Sequence, residues 1–132
     1  MKTISLIIGL AILSIFNSCL LMDKKVKVSG NIVTHERTST SFNQLDVNGI
    51  LNLYISQGDK ESVKIETDDN LLDIIETKNE GNKLVIKWKK GSDNVDPTKM
   101  NIYITLKNIE KFEFNGVGNI ETTTVLNLNK LE

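Results

Sequence analysis

From Phe42 onward the dominant signal in the chain is alternation with a period of two. Leu51, Leu53 and Ile55 alternate with Asn52, Tyr54 and Ser56. Val63 and Ile65 alternate with Lys64 and Glu66; Leu84, Ile86 and Trp88 alternate with Lys83, Lys87 and Lys89; Ile102, Ile104 and Leu106 complete the set. Successive side chains of a strand point to opposite faces, so each segment sends one set of residues into a core and the other into water. Turn-forming clusters separate them: Gln57-Gly58-Asp59, Asn79-Glu80-Gly81-Asn82, and the stretch from Gly91 to Pro97. The pattern predicts an all-β chain. The exception is Asn70 to Glu76, where Leu71, Leu72, Ile74 and Ile75 follow a helical spacing behind Asp68, Asp69 and Asn70 as candidate caps. So few residues predict a turn or a single helical coil crossing between strands.

Comparing the chain with itself adds a second constraint. Leu45-Asp46-Val47-Asn48-Gly49-Ile50 and Phe112-Glu113-Phe114-Asn115-Gly116-Val117 share one pattern, and each continues through one residue to Asn52-Leu53 or Asn119-Ile120. Asn-Gly between alternating strands fits a tight hairpin or the corner of a coil. Val125, Leu126, Leu128 and Leu131 then restart an apolar pattern. Similar strands separated by such corners suggest a solenoid whose coils bury their apolar faces against one another. A β-sandwich fits the same residues, and the internal evidence leaves the two open.

The N-terminus reads as an export signal. A single Lys2 precedes an apolar run from Ile4 to Phe16, and Asn17 and Ser18 lead to Cys19. Ser18 before Cys19 fits lipoprotein processing, with Cys19 as the lipid attachment residue, while Phe16 and Asn17 depart from the usual lipobox. Ordinary secretion and an uncleaved anchor extended by Leu20, Leu21 and Met22 are the alternatives. The expected organisation is a signal peptide over 1–18, a lipid-anchored tether over 19–27 and one β domain over 28–132. The residues beyond the leader suffice for one small domain.

Sixteen basic and seventeen acidic side chains nearly cancel, so no general field favours nucleic acid. The basic set is lysine except for Arg37, which leaves one side chain able to fork onto a carboxylate or phosphate. With Cys19 alone, an intramolecular disulfide is impossible.

Phe42-Asn43-Gln44-Leu45-Asp46-Val47, Leu53-Tyr54-Ile55-Ser56-Gln57-Gly58-Asp59, Val63-Lys64-Ile65-Glu66 and Asp69-Asn70-Leu71-Leu72, taken in order, resemble the head GIN domain family of putative auto-transporter adhesins. Gly81-Asn82-Lys83-Leu84-Val85-Ile86 and Gly116-Val117-Gly118-Asn119-Ile120 continue the likeness, which runs from about Asn31 to the end. The resemblance implies an exported envelope protein of Bacteroidetes-like bacteria with a right-handed β-helix-like fold and no known catalytic residues. Lipid binding has also been suggested for relatives. Family domains usually continue through further Gly-x-Gly coils, so the expectation here is a solenoid incomplete at its C-terminus: a fragment, a frameshifted product, or a protein that pairs its open edge with a partner.

Candidate sites are sparse. In His35-Glu36-Arg37, with Ser39 and Ser41 nearby, neighbours along a strand point apart, which favours a solvated edge over a nucleophile and base. Asp68, Asp69, Asn70 and Asp73 offer oxygens, but Leu72 and Ile74 interrupt a calcium-loop spacing, which favours capping or turn formation. Lys83, Lys87, Lys89 and Lys90 around Trp88 form the most distinctive surface candidate, because Trp beside cations can stack on a sugar or settle at a membrane interface. The alternation nevertheless turns Trp88 inward with Leu84 and Ile86. No catalytic, cofactor-binding or metal-ligating group emerges. The leading expectation is a non-enzymatic envelope module, outer-membrane or periplasmic, that binds a surface ligand or protein. A lipid-binding or structural envelope protein is the alternative, and a polysaccharide-active enzyme the weaker one.

Overall fold

The computed structural model describes residues 25–92, 94–129 and 131–132; the leader and Cys19 lie outside the described residues. Among the described residues nine strands form, in the order β1 (Ile32–Arg37), β2 (Gln44–Ile50), β3 (Asn52–Gln57), β4 (Ser62–Asp68), β5 (Ile75–Glu80), β6 (Lys83–Trp88), β7 (Met100–Leu106), β8 (Lys111–Val117) and β9 (Ile120–Thr122). A 3-10 helix, Asp69–Ile74, crosses from β4 to β5, as the short helical spacing predicts. The chain is all-β, and each alternating segment forms a strand.

Two open, mixed sheets result. One has the order β1-β4-β7-β3-β9 and the other β5-β6-β2-β8. Their apolar faces share one core: Leu45, Val47, Leu84 and Ile86 from the four-stranded sheet meet Leu53, Ile55, Val63, Ile65, Ile102 and Ile104 from the five-stranded one. This arrangement is compatible with the sandwich alternative.

β2 and β3 belong to different sheets with only Leu51 between them, so Asn48-Gly49 turns a corner and does not close a hairpin. β8 and β9 repeat that path alongside. Gln44 pairs with Lys111 and Leu53 with Ile120, the same 67-residue offset on both sides of the corner. The ladder stays unbroken through the bend, where Leu51 N donates to Val117 O at 3.0 Å and Leu53 N to Asn119 O at 2.8 Å. Such close stacking leaves no room for side chains. A Cβ on Gly116 would overlap the Gly49 carbonyl, and one on Gly118 the Leu51 carbonyl.

On the other side of β2 and β3 run β6 and β7, also parallel to them. Here Gln44 pairs with Lys83, 39 positions on, but Asn52 pairs with Asn101, 49 positions on. The corner between β6 and β7 is therefore ten residues longer than that between β2 and β3, and the excess forms the loop after Trp88. β1, β4 and β5 extend the sheets antiparallel beyond β7 and β6.

The N-terminal approach is tied to this covered end. Val26 pairs with Val95, and Val26 and Val28 pack on the core. Asp68 is fully buried, its carboxylate accepting from Gly30 N and Thr98 N, both at 2.8 Å. It stands at the N-cap position of the 3-10 helix but makes no capping bond there; the capping expectation is corrected to a clamp joining the N-terminal approach to the β6–β7 loop. Burial pushes the Asp68 carboxyl up, but the donors from Thr98 and Gly30 outweigh it and hold the carboxyl below its ordinary value. Asn31 Nδ2 donates to Asp69 Oδ2 at 2.9 Å and Ser29 N to Asn70 Oδ1 at 3.1 Å, so these oxygens also serve the N-terminal segment.

Candidate functional site

The outer face of the five-stranded sheet carries the most organised polar surface. Three neighbouring strands carry an asparagine at or next to their first residue and run in parallel register: Asn52-Leu53-Tyr54-Ile55-Ser56 on β3, Asn101-Ile102-Tyr103-Ile104-Thr105 on β7, and Asn119-Ile120-Glu121-Thr122-Thr123 around β9. The pleat sends Leu53, Ile55, Ile102 and Ile104 into the core and aligns the polar residues outside in rows. Asn119 N donates to Asn52 Oδ1 at 3.3 Å, and Asn52 Nδ2 to Asn101 Oδ1 at 3.1 Å. Asn101 Nδ2 in turn donates to Glu66 Oε2 at 3.1 Å. In the next row the rings of Tyr54 and Tyr103 stack, 5.0 Å between centroids and 15° between planes. Ser56 and Thr105 hydroxyls lie 3.0 Å apart in the third.

Glu66 on β4 organises this face. It accepts from Lys99 Nζ at 2.9 Å and from the Tyr103 hydroxyl at 2.7 Å, besides Asn101. Hydrogen bonds from Lys99 and Tyr103 hold the Glu66 carboxyl below its ordinary range, and the same bonds raise Lys99 and Tyr103. Beside the asparagine row, the β6–β7 loop and the two corners border an open groove of about 380 Å³. Asn52, Tyr54 and Asn101 line it with Pro97, Ile50 and Val117.

Sequence reasoning did not single out this face. The signal was present: Asn-Leu-Tyr-Ile-Ser and Asn-Ile-Tyr-Ile-Thr are a second internal repeat, and their stacking follows once β3 and β7 are known to be parallel. The residues proposed from sequence fall elsewhere. Lys83 and Lys87 project from β6 on the outer face of the four-stranded sheet, where Lys83 pairs across the strands with Glu80 and Lys87 with Glu76. Lys83 Nζ reaches Glu80 at 3.8 Å. Lys89 and Lys90 follow the end of the strand, exposed. Lys83 and Lys87 thus face acids on β5. Trp88 packs against the core, its indole lying over Gly49, so its inward placement agrees with the alternation. His35 and Glu36 are exposed on edge strand β1, while Arg37 donates to the Leu72 carbonyl. Among the described residues no three His, Cys, Asp or Glu side chains converge as a metal site, and no helix is long and apolar enough to cross a membrane.

Comparison with known proteins agrees with this architecture. A putative adhesin from Bacteroides fragilis matches with a TM-score of 0.66 and 28% identity, over 72% of this chain and 44% of that one. One from Parabacteroides merdae matches at 0.72 and 22% identity, over 81% and 45%, and supports the fold alone. A structure from Parabacteroides distasonis described as a putative lipid binding protein matches at 0.60 and 27% identity, over 74% and 42%. The chain therefore spans less than half of each of these solved chains. No curated protein matches it. The family model described as "Putative auto-transporter adhesin, head GIN domain" covers residues 41–132, from just before β2 to the last residue, and the chain belongs to that family.

Proposed function

We propose that this is a non-enzymatic protein of the bacterial envelope, exported by its leader, anchored through lipid on Cys19, and binding a ligand or protein through the solvent face of its five-stranded sheet. The observation that carries this reading is the family match over residues 41–132, supported by likeness to a putative adhesin at 28% identity. The unbroken parallel register around the Gly49 and Gly116 corners supports a β-helix-like solenoid, with β2–β3 and β8–β9 as successive coils. Glu132 N donates to Glu110 O at 2.9 Å and Phe112 N to Glu132 O at 3.2 Å, so Glu132 lies beside β8. Edge-to-edge self-association along this side is part of the same reading. Lys83, Lys87, Lys89 and Lys90 are a secondary contact surface on the opposite sheet.

External protease applied to intact cells tests the placement, with Cys19→Ala as control. Degradation of the wild type with the cells intact, and loss of membrane association in Cys19→Ala, are expected. Protection until the envelope is opened would overturn surface exposure. It would favour the second reading, a lipid-handling or structural envelope protein, which the putative lipid binding neighbour motivates. Lipid co-purifying with Cys19→Ala would then be its signature.

A further inference from the structure

The geometry points to the corner groove of the five-stranded sheet as a site for a neutral saccharide. This inference rests on the reading that the sheet's solvent face binds ligand, and names the chemistry of that ligand. The groove is an open depression of about 380 Å³ at the surface.

Charge decides the class of occupant first. The charged side chains lining the groove are Lys99 and Asp96. Lys99 is engaged by Glu66 at 2.9 Å and Asp96 by Lys25 at 3.6 Å. An anionic headgroup or phosphate would have to compete with Glu66 for Lys99, which disfavours it. An acyl chain fits no better, since it would cover the amides of Asn52 and Asn101 without offering them hydrogen bonds.

A pyranose meets both demands, having an apolar C–H face and a rim of hydroxyls that donate and accept. Tyr54 supplies the ring and Pro97 and Val117 further apolar surface. A side-chain amide has two donors and two lone pairs. Among the described residues, Asn52 uses one donor on Asn101 and one lone pair on Asn119 N, which leaves one of each for a sugar hydroxyl. The site is also organised in advance. Tyr54 is stacked on Tyr103, whose hydroxyl is fixed by Glu66, so little rotamer freedom remains to be lost on binding.

Titration of the isotope-labelled protein with cellobiose, maltose, lactose or diacetylchitobiose at millimolar concentration, followed by NMR, tests this, with inorganic phosphate as the anion. The expected result is that a disaccharide shifts the amides of Asn52, Tyr54, Lys99, Asn101 and Gly118, and phosphate does not. Tyr54→Ala should weaken binding about tenfold, and Tyr54→Phe, which keeps the ring, should retain it. If Tyr54→Ala fails to fold, the wild-type shift map and Tyr54→Phe still decide. No response to any of the four sugars, shifts confined to another face, or phosphate shifting the same amides would overturn the inference. Surface exposure on cells is read separately by the protease experiment, so either idea can fail while the other stands.

Discussion

β2–β3 and β8–β9 follow one sequence pattern along one path, yet their burial is opposite. Leu53 is fully buried and its register partner Ile120 is 44% exposed; Ile55 is 4% exposed while its partner Thr122 is exposed. Leu45 and Val47 are buried, but Phe112 and Phe114 only partly so. The inner copy has strands on both sides, β6 and β8 for β2, β7 and β9 for β3, whereas β9 ends its sheet and β8 has strand β2 on one side only. The pattern of residues thus sets register and the shape of the corner, and the number of neighbours sets burial. Truncating the same position in each copy gives the largest test. Leu53→Ala should cost about 2–5 kcal/mol, the range of buried leucine truncations, and Ile120→Ala about 1 kcal/mol or less. Urea denaturation of both variants measures the gap, and equal losses would show the outer copy to be as well packed as the inner.

Much of this contrast was legible from the residues alone, and some was not. The alternation of Leu51, Leu53 and Ile55 defines a strand and its inward face because side-chain direction is local. The paired Asn-Gly motifs mark equivalent corners because backbone can stack that tightly only where a Cβ is missing. Pairing direction is a property of distant partners, and nothing local in Met100–Leu106 says that it runs parallel to β3 but antiparallel to β4. The Tyr54–Tyr103 stack and the Asn52–Asn101 bond therefore became visible only with the register. Asp68 was misread for a related reason. Its position before a helical turn suggests a cap, whereas its donors come from Gly30 and Thr98, each about thirty or more positions away.

Asp68 offers the next test, because it belongs to the covered end and has no counterpart at the open one. Asp68→Asn keeps the size but turns an acceptor into a donor facing a backbone N–H, and should cost about 1–3 kcal/mol. The pH dependence has a definite sign. The folded carboxyls of Asp68 and Glu66 sit below their ordinary values, so the native state binds fewer protons than the unfolded chain as the pH falls through the carboxylate range. Their contribution is present above the unfolded pKa and disappears as pH drops through the folded one. Melting temperature should therefore decline on acidification below about pH 4–5, with a shallower decline in Asp68→Asn. An unchanged slope would show that the Asp68 clamp contributes nothing to acid sensitivity.

Gly118→Ala separates the two copies without touching the core. Its added Cβ would meet the Leu51 carbonyl, and its φ of +147° is one that side chains rarely adopt. The strain falls on the contact between the copies, at a cost of about 1–3 kcal/mol. Hydrogen exchange should speed up over 111–123 and stay slow in β4 and β7, whose ladder does not involve the corner. Uniform acceleration across both sheets would mean that the outer copy unfolds with the rest as one unit.

The smallest effect concerns the asparagine that each copy carries after its corner. Asn52 donates to Asn101 and accepts from Asn119 N, while Asn119 enters that row through its backbone and its side chain is exposed. Removing the Asn52 amide breaks two bonds in a half-buried row, at about 1 kcal/mol. Asn119→Ala should stay within about 0.5 kcal/mol of wild type, as surface changes usually do. A double-mutant cycle distinguishes backbone from side-chain coupling: the backbone N–H survives in Asn119→Ala, so the two changes should add. A coupling energy well above error would place the Asn119 amide in the row as well, and the polar face would then extend one strand further toward the open edge than the inner copy alone implies.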